Sequence, residues 1–131
     1  MQSEKYSKPI LRIALSLVFL YFGYQQITSP ESWISFVPSF VLSFGLSAKT
    51  FIIINSFLEL VLGTLMLIGL YTRFSSLILA LHLFVIAFSI GLNPLGIRDF
   101  GLAFATLVIF LNGVDGFCLD KKIWKRNSIS A

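Results

Sequence analysis

Four long apolar runs dominate the sequence, and only short turns separate the last three of them. The second run is continuously apolar apart from Asn55, Ser56, Glu59 and Thr64. A helix rises about 1.5 Å per residue, so about 20 residues cross a hydrocarbon layer of roughly 30 Å. The pattern predicts one all-α domain over residues 1–131, an integral membrane four-helix bundle. Its predicted spans are residues 10–27, 51–70, 74–92 and 97–114.

The connection between the first two spans differs from the other loops because it is rich in large apolar side chains. These recur at spacings of three and four, as on one face of a helix, at Trp33, Phe36, Val37, Phe40, Val41 and Phe44. Pro38 interrupts the series. The pattern predicts an amphipathic interfacial segment between the first and second spans, either one short helix at the membrane surface or a partly re-entrant segment packed on the bundle. The alternative is a loop whose aromatic residues lie at the level of the lipid headgroups.

The polar ends of the chain are expected to contribute little to the bundle. Residues 1–8 are predicted to be frayed or interfacial. Residues 116–131 are predicted to form a basic cytoplasmic tail, with residues 127–131 disordered. The first apolar run follows basic residues, as in a signal peptide, but no small-residue cleavage site comes after it, so we expect a retained helix.

Charge is scarce and unevenly placed. The chain is 12% charged with a mean hydropathy of +0.89, whereas a soluble domain is about a quarter charged. One side of the predicted bundle carries Lys5, Lys8, Arg12, Arg73, Lys121, Lys122, Lys125 and Arg126. Only Lys49 and Arg98 fall on the other side. The positive-inside rule predicts that both termini are cytoplasmic. We expect the protein to lie in the inner (cytoplasmic) membrane.

The same composition limits partners and cofactors. Basic residues at the chain ends fit membrane orientation, so no nucleic-acid partner is expected. The expected partners are membrane lipid and either further copies of the chain or a partner membrane subunit. Cys118 is the only cysteine and His82 the only histidine. An intrachain disulfide, a CxxC pair and bis-histidine haem ligation are therefore excluded, and no metal site is predicted.

Glu59 is the residue that needs a partner, because it lies near the middle of the second span. An ionisable side chain there should face protein or a wet cavity. Asn55 shares its helix face, and His82 lies at similar depth on the next span. Arg98 begins the fourth span and can reach Glu59 from the outer end. A full positive charge offsets a buried carboxylate better than a neutral imidazole, which favours Arg98, with His82 as the alternative.

These residues predict a polar pocket in the outer half of the bundle, with no catalytic residue assigned. Its predicted members are Gln26, Asn55, Glu59, His82, Arg98 and Asp99. Such a pocket suits a quinone head group, a small anion or a proton relay; the alternative is a polar cluster that only fixes helix packing. At the opposite end, Arg12 and Asp115 are predicted to form a structural ion pair.

Several local patterns resemble the DoxX family of small four-helix membrane proteins over roughly residues 10–120. They are Gly23-Tyr24-Gln25-Gln26, Glu59-Leu60-Val61-Leu62-Gly63, Gly69-Leu70-Tyr71-Thr72-Arg73 and Arg98-Asp99. Many relatives have a lysine where this chain has Gln25-Gln26, which removes one charge from the predicted pocket.

The resemblance, which extends to the small subunit of a thiosulfate:quinone oxidoreductase, implies a subunit or accessory of a membrane redox system that passes electrons to quinone. If the protein is an enzyme, it is then part of a quinone-linked oxidoreductase. The chain itself suggests no cofactor other than quinone. The alternatives are a non-catalytic structural subunit of a larger membrane assembly and a small-solute transporter acting as an oligomer.

Overall fold

The computed structural model describes residues 2–130, which form six α-helices, one 3₁₀ segment and no strand. The α-helices are α1 (Gln2–Thr28), α2 (Ser39–Ser43), α3 (Ala48–Ile68), α4 (Thr72–Ile90), α5 (Pro94–Asn112) and α6 (Leu119–Ser130), and the 3₁₀ segment is Pro30–Phe36. α1, α3, α4 and α5 are each long and apolar enough to cross a membrane. The predicted all-α membrane bundle is confirmed.

The helices extend further into polar sequence than the apolar runs predict. α1 begins at Gln2 rather than near residue 10, and α6 includes residues 127–130, which were predicted to be disordered. Residues 2–8 are thus helical and not frayed, and the predicted disorder of residues 127–130 is wrong, while Met1 and Ala131 lie outside the described range. Polar helix formers such as Lys and Glu continue a helix beyond the apolar layer because helix propensity does not depend on hydrophobicity.

The connection between α1 and α3 consists of two short helical pieces instead of one amphipathic helix. The 3₁₀ segment ends at Phe36 and α2 begins at Ser39. Pro38 disfavours a helical conformation at the residue before it, which breaks the series there. Val41 is buried, whereas Phe44 on the same predicted face is exposed. The predicted single apolar face is therefore split in two.

The four long helices form two tightly packed pairs, α1 with α3 and α4 with α5, with fewer contacts between the pairs. Gly23 allows the first pair to approach closely. A Cβ atom at Gly23 would lie 2.9 Å from Leu60 Cγ and 3.2 Å from the Ser56 carbonyl oxygen. Ser56 Oγ donates a hydrogen bond of 2.6 Å to the Gly23 carbonyl oxygen. A side-chain-to-backbone hydrogen bond thus joins α3 to α1 at the point where the two helices approach most closely at Gly23.

An apolar layer crosses the middle of the bundle. It consists of Leu15, Phe19, Leu62, Met66 and Leu79, all of which are buried. Buried polar side chains lie on both sides of this apolar layer. We call the end of the bundle that carries both chain termini the termini-side end, and the opposite end the distal end.

Arg12 is the centre of the termini-side end. Its side chain is only 2% exposed, and Nε lies 2.7 Å from Asp115 Oδ2. Its Nη1 donates to the carbonyl oxygens of Met66, at 2.8 Å, and Leu67. The last carbonyls of a helix have no partner within it and carry partial negative charge, so a guanidinium suits them. Arg12 thereby joins α1, the end of α3 and the chain after α5.

Asp120 fastens the same region to the start of α4. Its carboxylate accepts hydrogen bonds from the N–H groups of Tyr71, at 2.8 Å, and Thr72, at 2.9 Å. Gly69 ends α3 in the left-handed region, at φ 75°, and a Cβ there would lie 2.5 Å from Cys118 Cα. The segment between α5 and α6 is therefore docked closely on the α3–α4 turn.

This docking shifts the pKa values of two groups outside the membrane-spanning helices, Asp115 and Cys118. Burial alone would raise the pKa of Asp115, but hydrogen bonds from Arg12 and from the Phe117 N–H outweigh it, and the pKa lies below its ordinary value of 3.8. Burial raises the pKa of the Cys118 thiol above its ordinary value of 9.0. The segment thus favours a charged carboxylate and a protonated thiol.

Arg12→Met should destabilise the protein by about 3–5 kcal/mol, because it leaves the buried Asp115 carboxylate uncompensated. Unfolding in detergent measures this, and the double change Arg12→Met with Asp115→Leu should recover part of the loss. Lys49→Met is the matched control: Lys49 pairs with Glu31 at an exposed site, so its loss should cost less than about 1 kcal/mol. Equal costs for Arg12→Met and Lys49→Met would contradict this account of Arg12.

Acid should weaken the same ion pair. The pKa of Asp115 is lower in the folded than in the unfolded protein. The charged carboxylate therefore stabilises the folded state fully at pH values above the ordinary pKa of 3.8, and this stabilisation is lost as the pH falls through the lower folded pKa. The Asp115→Asn variant should lack this part of the acid dependence. A wild-type and Asp115→Asn pair with the same unfolding curve against pH would refute the assignment.

Cys118 should react slowly with a maleimide in the folded protein and rapidly after denaturation, because the thiolate is the reactive form and the side chain is fully buried. A labelling time course measures this. The matched standard is Ser128→Cys in a Cys118→Ser background, which places a thiol on the exposed face of α6. Folded-state labelling as fast as that standard would show that the docked segment opens freely.

Candidate functional site

A cavity of about 170 Å³ lies toward the distal end of the bundle, between the two helix pairs. Its polar wall contains five of the six predicted pocket residues, namely Gln26, Asn55, Glu59, Arg98 and Asp99. The sixth, His82, is not among the lining residues and lies against Glu59 instead. α1, α3 and α5 thus supply the polar wall, and α4 supports it.

Glu59 is held by two amide side chains. It is 4% exposed. Gln26 Nε2 donates to Glu59 Oε2 at 3.2 Å, and Asn55 Nδ2 donates to Glu59 Oε1, also at 3.2 Å. Asn55 Nδ2 also donates to Gln26 Oε1 at 2.6 Å. The three side chains form a closed set of hydrogen bonds between α1 and α3, which we call the amide–carboxylate cluster.

The preferred pairing of Glu59 with Arg98 is wrong. Arg98 pairs with its neighbour Asp99, with Nη2 2.8 Å from Asp99 Oδ1. His82 is the basic side chain near Glu59, with its Nε2 3.5 Å from Glu59 Oε1, which is longer than a hydrogen bond. Asp99 offers Arg98 a carboxylate one residue away at the edge of the bundle, so the guanidinium need not reach inward.

Aromatic side chains line the distal end of the cavity. The Arg98 guanidinium lies over the Phe22 ring, 5.1 Å from its centroid. Phe22 meets Trp33 of the 3₁₀ segment edge-on, with 5.7 Å between ring centroids. Trp33 in turn contacts Phe36. The connection between α1 and α3 is thus part of the site.

The rest of the lining is apolar. It consists of Leu15, Val18, Phe19, Phe22, Trp33, Phe36, Val37, Pro38, Phe51, Ile52, Leu83, Ile86, Ile90, Leu95 and Leu102. Sequence reasoning omitted these residues from the predicted pocket. The repeated aromatic residues of the connection are the sequence signal for Trp33 and Phe36, but the pattern predicts a surface or re-entrant segment and not a cavity wall.

Two polar atoms at the site are buried without a hydrogen-bond partner among residues 2–130. They are Asn55 Oδ1 and His82 Nε2. Asn55 is 8% exposed and lines the cavity. A buried acceptor without a donor costs about 1–3 kcal/mol.

No cluster of metal-binding side chains is found in the described part of the chain. Residues 2–130 contain no group of three His, Cys, Asp or Glu side chains that could hold an ion.

Comparison with protein families places the chain. The model of the DoxX family matches residues 8–92. The chain belongs to the DoxX family. The match includes Gln26, Asn55, Glu59 and His82, whereas α5, with Arg98 and Asp99, lies beyond it. No curated protein and no solved structure matches the chain. The resemblance inferred from the sequence patterns is confirmed.

The partner of Glu59 can be tested with two double-mutant cycles in detergent unfolding. Gln26→Leu and Glu59→Leu should be coupled by about 0.5–3 kcal/mol, because their side chains share a hydrogen bond. Arg98→Leu and Glu59→Leu should be additive within about 0.5 kcal/mol, because no hydrogen bond or ion pair joins these two side chains. Strong coupling in the second cycle and none in the first would restore Arg98 as the partner of Glu59.

Proposed function

We propose that this DoxX protein is a subunit or accessory of a membrane redox system that passes electrons to quinone, and that its distal cavity binds a quinone ring. The observation that carries the proposal is a cavity with apolar walls and one polar wall that is built from amide, carboxylate and guanidinium side chains. Ligand sites commonly combine apolar lining with a few placed polar groups in this way.

The size of the cavity supports a single-ring occupant. An engineered apolar cavity of about 150 Å³ in another protein holds benzene. The present volume of about 170 Å³ therefore suits one six-membered ring with small substituents. Phe22 and Trp33 offer aromatic surfaces to such a ring, while Arg98 and Asn55 offer polar groups to its oxygens.

The distribution of charge orients the proposed site. Eight of the ten lysines and arginines lie at the termini-side end, and Lys49 and Arg98 lie at the distal end. By the positive-inside rule, both termini are cytoplasmic and the cavity lies toward the outer face of the inner membrane. Electrons would come from a partner subunit, because the sequence contains neither a thiol pair nor a second histidine.

A purely structural subunit is the competing function, and it predicts a different polar cluster. A cluster that only fixes helix packing should be dry and fully paired. The cavity beside the amide–carboxylate cluster favours a binding site instead.

Quinone binding can be measured by fluorescence in lipid nanodiscs, using a Trp124→Phe background so that only Trp33 reports. A decyl-substituted benzoquinone should quench Trp33, which lines the cavity. Glu59→Gln should weaken binding by about tenfold or more, because a side-chain amide cannot accept from both Gln26 and Asn55 without presenting N–H to N–H.

Glu31→Gln is the matched control, since it also removes one carboxylate, but at an exposed site. It should bind as the background protein does. Equal binding by Glu59→Gln and Glu31→Gln would show that the quinone lies elsewhere. No saturable quenching in any variant, with Glu59→Gln altering only stability, would favour the structural subunit.

A further inference from the structure

We infer that exposed cations at the termini-side end form a binding surface for anionic phospholipid headgroups, and that α6 is the main element of this surface. The inference is independent of the quinone proposal, because the surface lies at the end of the bundle opposite the cavity. It comes from unpaired charge, from the level at which that charge lies and from the exposure of α6.

The termini-side end carries eight lysines and arginines but little negative charge to balance them. Two of its three carboxylates are occupied: Asp115 pairs with Arg12, and Asp120 accepts from backbone N–H groups of the α3–α4 turn. Lys5 lies over a neighbouring tyrosine ring. Six further cations are exposed and make no ion pair among residues 2–130. We call them the basic surface, namely Lys8, Arg73, Lys121, Lys122, Lys125 and Arg126.

The basic surface begins at the level where α4 enters the membrane. Asp120 accepts a hydrogen bond from the N–H of Thr72, the first residue of α4. Lys121 and Lys122 follow Asp120 directly, and Arg73 follows Thr72. Lipid headgroups begin where the hydrocarbon layer ends, so these three cations lie at the level of the lipid phosphates.

α6 continues from this boundary without being covered by the rest of the described chain. None of its 12 residues is buried, and an isolated helix of this length is only marginally stable in water. Lys122, Lys125, Arg126 and Ile129 share one face and line a shallow hollow on it. Trp124 and Ile129 are 75% and 77% exposed. A helix that combines cations with exposed apolar side chains is typical of the headgroup layer.

The chemistry of the surface matches an anionic phospholipid. Lysine and arginine donate charge-assisted hydrogen bonds to phosphate oxygens. Ile129, between the cations of the hollow, offers an apolar contact to the glycerol and acyl part of the same molecule. Clusters of about four to eight Lys and Arg beside a membrane helix bind anionic lipid, and each cation contributes about fivefold in affinity. A soluble acidic partner would use the charges but not their position at the membrane boundary.

The lipid preference can be measured with Trp124 as the reporter, in a Trp33→Phe background that removes the other tryptophan. The protein is placed in phosphatidylcholine nanodiscs that contain a minor fraction of brominated phosphatidylglycerol or, in the matched sample, of brominated phosphatidylcholine. Bromine quenches tryptophan only at short range. The brominated phosphatidylglycerol should quench Trp124 about threefold or more strongly at low salt, and the difference should shrink as salt screens the charges.

Variants assign the preference to α6. The triple change Lys122→Gln, Lys125→Gln and Arg126→Gln should bring the two quenching values close together. These side chains are exposed, so the bundle should still fold. Lys122→Arg with Lys125→Arg keeps the charge and should keep the preference. Lys49→Gln removes an exposed lysine from the distal end and should leave both values unchanged.

Three outcomes would overturn the inference. One is equal quenching by the two brominated lipids at low salt in the Trp33→Phe protein. Another is a preference that survives the triple change, which would assign it to a different part of the molecule. The third is no quenching by either lipid, which would show that α6 projects into water and leave the basic surface to a soluble acidic partner.

Discussion

The buried guanidinium of Arg12 holds the two helix pairs together at one end of the molecule. A charge with 2% exposure is tolerated only where acceptors surround it, and here they come from Asp115 and from the last carbonyls of α3. The ion pair therefore also ends a helix. Because α1, α3 and the chain after α5 meet at this one group, the termini-side end is closed by polar contacts.

At the distal end, the buried carboxylate of Glu59 is stabilised in a different way. Glu59 makes no ion pair with a lysine or arginine and is held by amide donors from Gln26 and Asn55, with His82 Nε2 3.5 Å away. This cluster ties α1 to α3 but makes no hydrogen bond to α4 or α5. The two helix pairs are thus joined firmly at one end and leave room between them at the other. The cavity is the result of that asymmetry.

The sequence predicted the fold well because hydrophobicity and length determine a membrane span almost alone. It also brought together five residues that line the cavity, since Asn55 and Glu59 share a helix face. The sequence did not predict contacts that depend on side-chain geometry, such as the pairing of Arg98 with Asp99 instead of Glu59. The capping of α4 by Asp120, some 48 residues further along the chain, left no local pattern to recognise.

The apolar layer of Leu15, Phe19, Leu62, Met66 and Leu79 gives the bundle an electrical property. This apolar layer separates the two polar ends of the bundle. Among the described residues, no buried ionisable side chain belongs to it. Moving one charge through a membrane at 100 mV involves about 2.3 kcal/mol, which any continuous polar path would dissipate. The titratable groups at the distal end therefore do not form a path by which ions or protons could cross the membrane.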